Sequence, residues 1–131
     1  MRVAVVTHPS SLSHVAPWEH PERPDRIGAA VAGIQASGVE VISVEARSAT
    51  RKELLAVHKE DYLERIQTVA LDGGGAFDSD TYISAASWEA ARFAAGAGLT
   101  AVEAIEAGEA DFGFAAVRPP GHHAEQSKGM G

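Results

Sequence analysis

Three short apolar runs, Val3–Thr7, Val39–Val44 and Phe112–Val117, are set apart by stretches whose apolar residues recur every three or four positions. Strands divided by helices imply parallel pairing through right-handed crossovers. The expectation is an α/β fold, a three-stranded parallel sheet flanked by helices on both faces, with the first run between the other two. The first helix opens near Pro24, carries Ile27, Ala30, Val31 and Ile34 on one face and stops at Gly38. A second begins after Thr50, where Glu53 three residues on completes a capping box, and ends near His58. Leu63, Ile66 and Val69 mark a third amphipathic stretch. The longest helix spans Ser84–Ala107, with Trp88, Ala91, Ala95, Leu99, Val102 and Ile105 at helical spacing and Gly108 at its end. Gly96 and Gly98 inside it each cost about 1 kcal/mol relative to Ala, so a close approach to the sheet is the expected reason for both. The consecutive glycines Gly73 to Gly75, within the stretch from Leu71 to Asp80, argue against regular structure there.

The whole of 1–131 reads as one domain, long enough to bury a sizeable core, with the polar, glycine-bearing tail Glu125–Gly131 as a flexible loop. Eighteen acidic against eleven basic residues give a net charge of −7, and the basic residues are scattered, which argues against a nucleic-acid partner. No cysteine is present, so a metal would be held by His, Asp or Glu. The N-terminus MRVAVVTH lacks the apolar segment of a signal peptide, and no apolar run is long enough to span a membrane. A cytoplasmic protein with no membrane partner is expected.

The segment Arg118–Ala124, RPPGHHA, carries the clearest chemistry. It follows an apolar run read as a buried strand, and ligands in open α/β sheets collect outside the carboxyl ends of strands. Pro119 and Pro120 stiffen the approach, Gly121 permits an unusual backbone conformation, and His122 and His123 are then placed as general acid/base groups. A plain structural turn would use the same residues. Trp18–Ile27, WEHPERPDRI, reads by itself as a Pro-punctuated loop feeding a helix, with Arg23 and Arg26 as solvated charges. Asp78 and Asp80, after the glycines, suit either a grip on a substrate amide or a hard cation, or an ordinary Asp-rich turn. His8 and His14 read as capped or solvated, and neither His14 nor His58 has an expected catalytic role.

Taken together, HPERPDRI from His20, VHKEDYLERI from Val57, DTYIS from Asp80, RPPGHHAE and the closing GMG resemble the zinc-dependent histone deacetylase superfamily. Within it the chain looks most like the bacterial deacetylase-like amidohydrolases and acetoin-utilisation proteins. The resemblance implies an arginase-like α/β fold of eight parallel strands, of which this chain holds about the first three. It implies that His122 and His123 act beside a zinc-bound water as base, acid and electrostatic stabiliser. It also implies that Asp80 grips the substrate backbone at the pocket rim, that Arg26 lines the channel behind the metal, and that Gly131 forms part of the acyl-lysine tunnel wall. Family zinc ligands come from an Asp-x-His motif and a further Asp, and a tyrosine polarises the scissile carbonyl. None of these has a counterpart before Gly131.

The leading expectation is therefore the N-terminal portion of a zinc-dependent amidohydrolase acting on N-acyl amides of lysine, a polyamine or a small molecule. Alone it should show negligible turnover of amides, and its uncovered surfaces should drive homo-oligomerisation. Two other readings stay open. One is a free-standing minimal metal hydrolase acting on activated esters, assembled as an oligomer, with His20, Asp80, His122, His123 and Glu125 as available ligands. The other is a non-catalytic α/β binding module.

Overall fold

The computed structural model describes every residue from Met1 to Gly131. Strand β1 (Arg2–Thr7) leads through a 3-10 turn (Pro9–Leu12) and a long loop to helix α1 (Asp25–Ala36), then strand β2 (Glu40–Glu45), helix α2 (Arg51–Leu55) and helix α3 (Glu60–Leu71). A short hairpin, β3 (Gly74–Ala76) and β4 (Tyr82–Ser84), precedes helix α4 (Ser87–Glu106) and strand β5 (Phe112–Ala115). The three long-range strands form one parallel sheet in the order β2-β1-β5, with Val3 opposite both Val41 and Phe112. The sequence pattern anticipates this sheet and its central strand. No helix is long and apolar enough to cross a membrane.

Local chemistry explains the element boundaries. Thr50 accepts from the Glu53 backbone N–H while the Glu53 carboxylate accepts from the Thr50 N–H, the reciprocal cap that the T-R-K-E sequence encodes. Helix α1 starts directly after Pro24, and Gly38, at φ +78°, lies two residues beyond its end. Helix α4 begins three residues later than its sequence periodicity suggests, because Tyr82–Ser84 is drawn into β4. The Ser87 hydroxyl accepts from the Ser84 N–H at the intervening turn.

The hairpin is a correction to the reading of Gly73–Gly75 as irregular. Gly74 pairs with Ser84 and Gly75 with Ile83, antiparallel. A side chain at Gly74 would overlap the Ile83 carbonyl, and its φ of +109° disfavours any L side chain. The glycines therefore permit this pairing instead of breaking it.

The core lies between β1 and α4. Ala4 and Val6 are fully buried, with Ala97, Ala101 and Ala104 of α4 packed around them and Ala46 and Ala110 closing the sides. The small face of α4 meets the sheet through Ala97, Ala101 and Ala104, and Val102 and Ile105 stay exposed. Close approach to a sheet selects alanine, so the larger periodic residues do not mark the packed face. Phe112–Val117 is likewise not a buried strand over its length: β5 is an edge, exposed throughout, with Phe112 57% and Phe114 44% accessible.

The two α4 glycines separate cleanly. A Cβ at Gly96 would overlap the Arg47 carbonyl in the segment after β2, where the Arg92 carbonyl also accepts from the Ala49 N–H at 2.9 Å. The close approach is to that segment, not to a strand. Nothing lies within 4 Å of a Cβ at Gly98, which is exposed. Gly98→Ala should raise unfolding stability by up to about 1 kcal/mol in urea titrations. Gly96→Ala should lower it, and a gain at Gly96 would contradict the packing described.

Candidate active site

Beyond β5 the chain runs through Ala116 and Val117 to Arg118, whose side chain is only 1% exposed. A guanidinium is never free of charge in a protein, so burying it requires that every N–H be answered. All five are. Nε and Nη2 grip the Glu22 carboxylate at 2.6 and 2.8 Å, and Nη2 also reaches the Glu22 carbonyl at 3.3 Å. Nη1 donates to the carbonyls of Ser11 (2.9 Å) and His14 (2.6 Å). The Arg118 backbone N–H is taken by the Ser11 hydroxyl. Burial pushes the Glu22 carboxyl up, but the Arg118 bonds, with Arg26 adding to them, outweigh it and hold it below the usual carboxylate range.

From this anchor the backbone turns through Pro119, Pro120 and Gly121, the last at φ +63°. The Gly121 N–H donates to the Gly131 carbonyl at 2.7 Å and the His123 N–H to that of Met130 at 3.2 Å, closing residues 121–131 into a loop. Three consecutive carbonyls of that loop are held by the segment leading into α3 and by the helix itself. Glu125 takes His58 Nδ1, Gln126 takes the Lys59 N–H and Ser127 takes the Arg65 guanidinium. The His122 and His123 rings, both exposed, lie 4.1 Å apart at 47° to each other.

These rings border a cavity of about 650 Å³. Its wall is mainly apolar, with Trp18, Tyr82, Trp88, Ala91, Ala95 and Val117 contributing, and Trp18 packs edge-on against Tyr82. His20, Asp80, His122, His123 and Gly131 all line it, so residues spread over more than a hundred positions of sequence meet at one place. A Cβ at Gly131 would lie 2.9 Å from His122 Nδ1, so a side chain there would press on the His122 ring, and the Gly131 φ of +78° favours glycine. His20 Nε2 and Asp80 Oδ1 are 2.6 Å apart, and Asp78 shapes the Asp80 turn by accepting from the Asp80 and Thr81 N–H groups.

Arg26 stands elsewhere. It is half-exposed, bonds to Glu22 at 2.6 Å and does not line the cavity. Arg92 and Arg118 are the arginines in the wall. The channel position that the resemblance implies for Arg26 is not seen at this cavity, whereas Arg118, buried just after β5, lines it. His14 also lies in the wall, sharing a 2.6 Å hydrogen bond with Ser87, and burial, then the nearby Arg118 charge, lowers its pKa. His8 caps the 3-10 turn and stacks on Phe93. No three His, Cys, Asp or Glu side chains converge anywhere to hold a metal ion. A zinc site takes three or four such donors. His20 and Asp80 satisfy one another, and Glu125 is outside the cavity wall. The metal-ligand role expected of His20, Asp80, His122, His123 and Glu125 therefore finds no donor set in this chain.

Sequence comparison matches the family profile "Histone deacetylase domain" to residues 20–131. The chain is 33% identical to the human polyamine deacetylase HDAC10 over all of its length and 21% of that protein. It is 42% identical to the histone deacetylase-like amidohydrolase of Pseudomonas aeruginosa over 63% of this chain and 22% of that one. The crystal structure of the HDA15 HD domain superimposes with a TM-score of 0.86 at 37% identity, covering 98% of this chain and 39% of that one. The chain thus spans about a fifth of the length of the two curated relatives.

The ion pair at the base of the site gives a direct test. Glu22→Gln leaves Arg118 buried beside a neutral partner and should cost about 3 kcal/mol of unfolding stability. Because the Glu22 pKa is depressed in the folded state, its contribution is full above the ordinary carboxylate range and is lost as pH falls through the folded value. The gap between wild type and Glu22→Gln in urea titrations should therefore narrow in acid. A gap independent of pH would contradict the pairing.

Proposed function

The chain belongs to the histone deacetylase domain family, and from that membership we propose that it supplies the His-pair wall and substrate rim of an N-acyl amide hydrolase. The observation that carries this is the meeting of His122, His123, Asp80 and Gly131 around one largely apolar cavity. An acyl chain is accommodated by apolar walls such as Ala91, Ala95 and Val117, and water is excluded from them at little cost. The substrate class is an acetylated amine, on lysine, a polyamine or a small molecule.

In this reading one imidazole of the pair accepts a proton from the attacking water and the other is the donor to the departing amine. Their adjacency lets each stabilise the charge the other develops. Asp80 takes an N–H of the substrate at the rim. Gly131 keeps the tunnel wall clear beside His122. Arg118 acts through Glu22 and the loop, and Arg26 acts only as a second partner of Glu22. The family is generally zinc-dependent, but the residues present assemble no donor set for the ion, so none of these roles runs through it. A cytoplasmic setting and self-association through the exposed β5 edge complete the proposal.

The test is turnover by the purified chain. Acetyl-lysine amides should be cleaved negligibly and an activated acetate ester slowly, since a good leaving group needs less help. Replacing His122 or His123 by Ala should lower ester turnover by about 10²-fold or more with the thermal transition unchanged. Ester turnover that survives both replacements would overturn the assignment of the pair.

A further inference from the structure

The HPER segment makes two different contacts from residues two apart, and only one of them belongs to the buried ion pair. Glu22 holds Arg118, and His20 reaches the other way, to Asp80 at 2.6 Å. The ring nitrogens of His20 are not equivalent. Nδ1 accepts the Glu22 backbone N–H at 2.9 Å, so the neutral ring carries its proton on Nε2, the nitrogen that faces Asp80 Oδ1. The tautomer is set by the backbone of a residue that Arg118 itself fixes. His20 is thus a rigid donor, its side chain 24% exposed, whereas the Asp80 side chain is 80% exposed.

We infer that His20 is the positioning residue for Asp80: it binds one carboxylate oxygen and leaves the other, Oδ2, as the single oriented acceptor for a substrate backbone N–H. Asp80 Oδ2 makes no hydrogen bond in the structure, and the Asp78 turn fixes only the Asp80 backbone. A carboxylate this exposed would otherwise rotate freely, and ordering it on binding would weaken the complex. If Asp80 is that acceptor, the ligand that reads its orientation is an acylated lysine within a peptide, whose flanking amides present N–H donors, set against an acylated amine without them. The inference rests on the reading of Asp80 as the group that takes that N–H.

Two measurements on the full chain test it. By NMR the wild-type His20 ring should show the Nε2–H tautomer and Asp80 a single χ1 rotamer. His20→Ala should average the rotamer, and His20→Gln, whose amide N–H can replace Nε2, should restore it. The probes are an acetyl-lysine tripeptide amide and N-butylacetamide, followed by shift titration. His20→Ala should lower the preference for the tripeptide over N-butylacetamide about threefold to tenfold, the scale of one immobilised side chain. If Asp80→Ala leaves the preference for the tripeptide intact, the reading of Asp80 fails. If Asp80→Ala abolishes that preference while His20→Ala keeps both it and the single rotamer, the reading stands and the positioning role is overturned.

Discussion

One buried guanidinium organises this molecule. Arg118 sits where strand β5 gives way to the His-bearing loop, and its five N–H groups are shared among the 3-10 turn, the loop around His14 and Glu22. A charge removed from water is tolerated only when fully paired, so these segments are fixed relative to one another or the charge is stranded. No buried side-chain polar atom in the chain lacks a partner. What a hydrophobic core would do by packing is done, under this cavity, by a directional network.

The consequences spread in two directions. Through Glu22 and His20 the network reaches Asp80 at one rim of the cavity. Through Pro119–Gly121 it reaches His122 and His123 at the other, where closure onto Met130 and Gly131 and the bonds from His58, Lys59 and Arg65 to three successive carbonyls set the loop. The small-residue helix α4 completes the arrangement. Its alanine face lies on the sheet while Trp88, Ala91 and Ala95 on a neighbouring face form the cavity wall.

Much of the fold is legible in the sequence because its causes are local or periodic. The capping box at Thr50, Pro24 before α1 and the β-α-β order all act within a few residues or through a simple period. The failures share one physical origin, contacts between distant segments. Three glycines look like a breaker until β4 approaches Gly74. Phe112 and Phe114 look buried until β5 proves to be an edge. His122, His123, Asp80, His20 and Gly131 are recognisable as motif residues, and the structure brings them together. Arg26 is not placed with them, because a charged residue's burial depends on a partner elsewhere. The one available signal for Arg118 is its place directly after a β-rich run and before two prolines, where a long basic side chain has few ways to reach water. His58 gives no signal, since its partner is a backbone carbonyl 67 positions away.

The central claim is that the Arg118 network holds the His loop in its closed form. Amide hydrogen exchange at Gly121 and His123, whose N–H groups close the loop, reads this directly in an Arg118→Met variant of similar reach without the charge. Loss of protection at both amides, with protection in β1 retained, is the result expected. Unchanged protection at Gly121 and His123 would show that the loop closes without the guanidinium and would contradict the account.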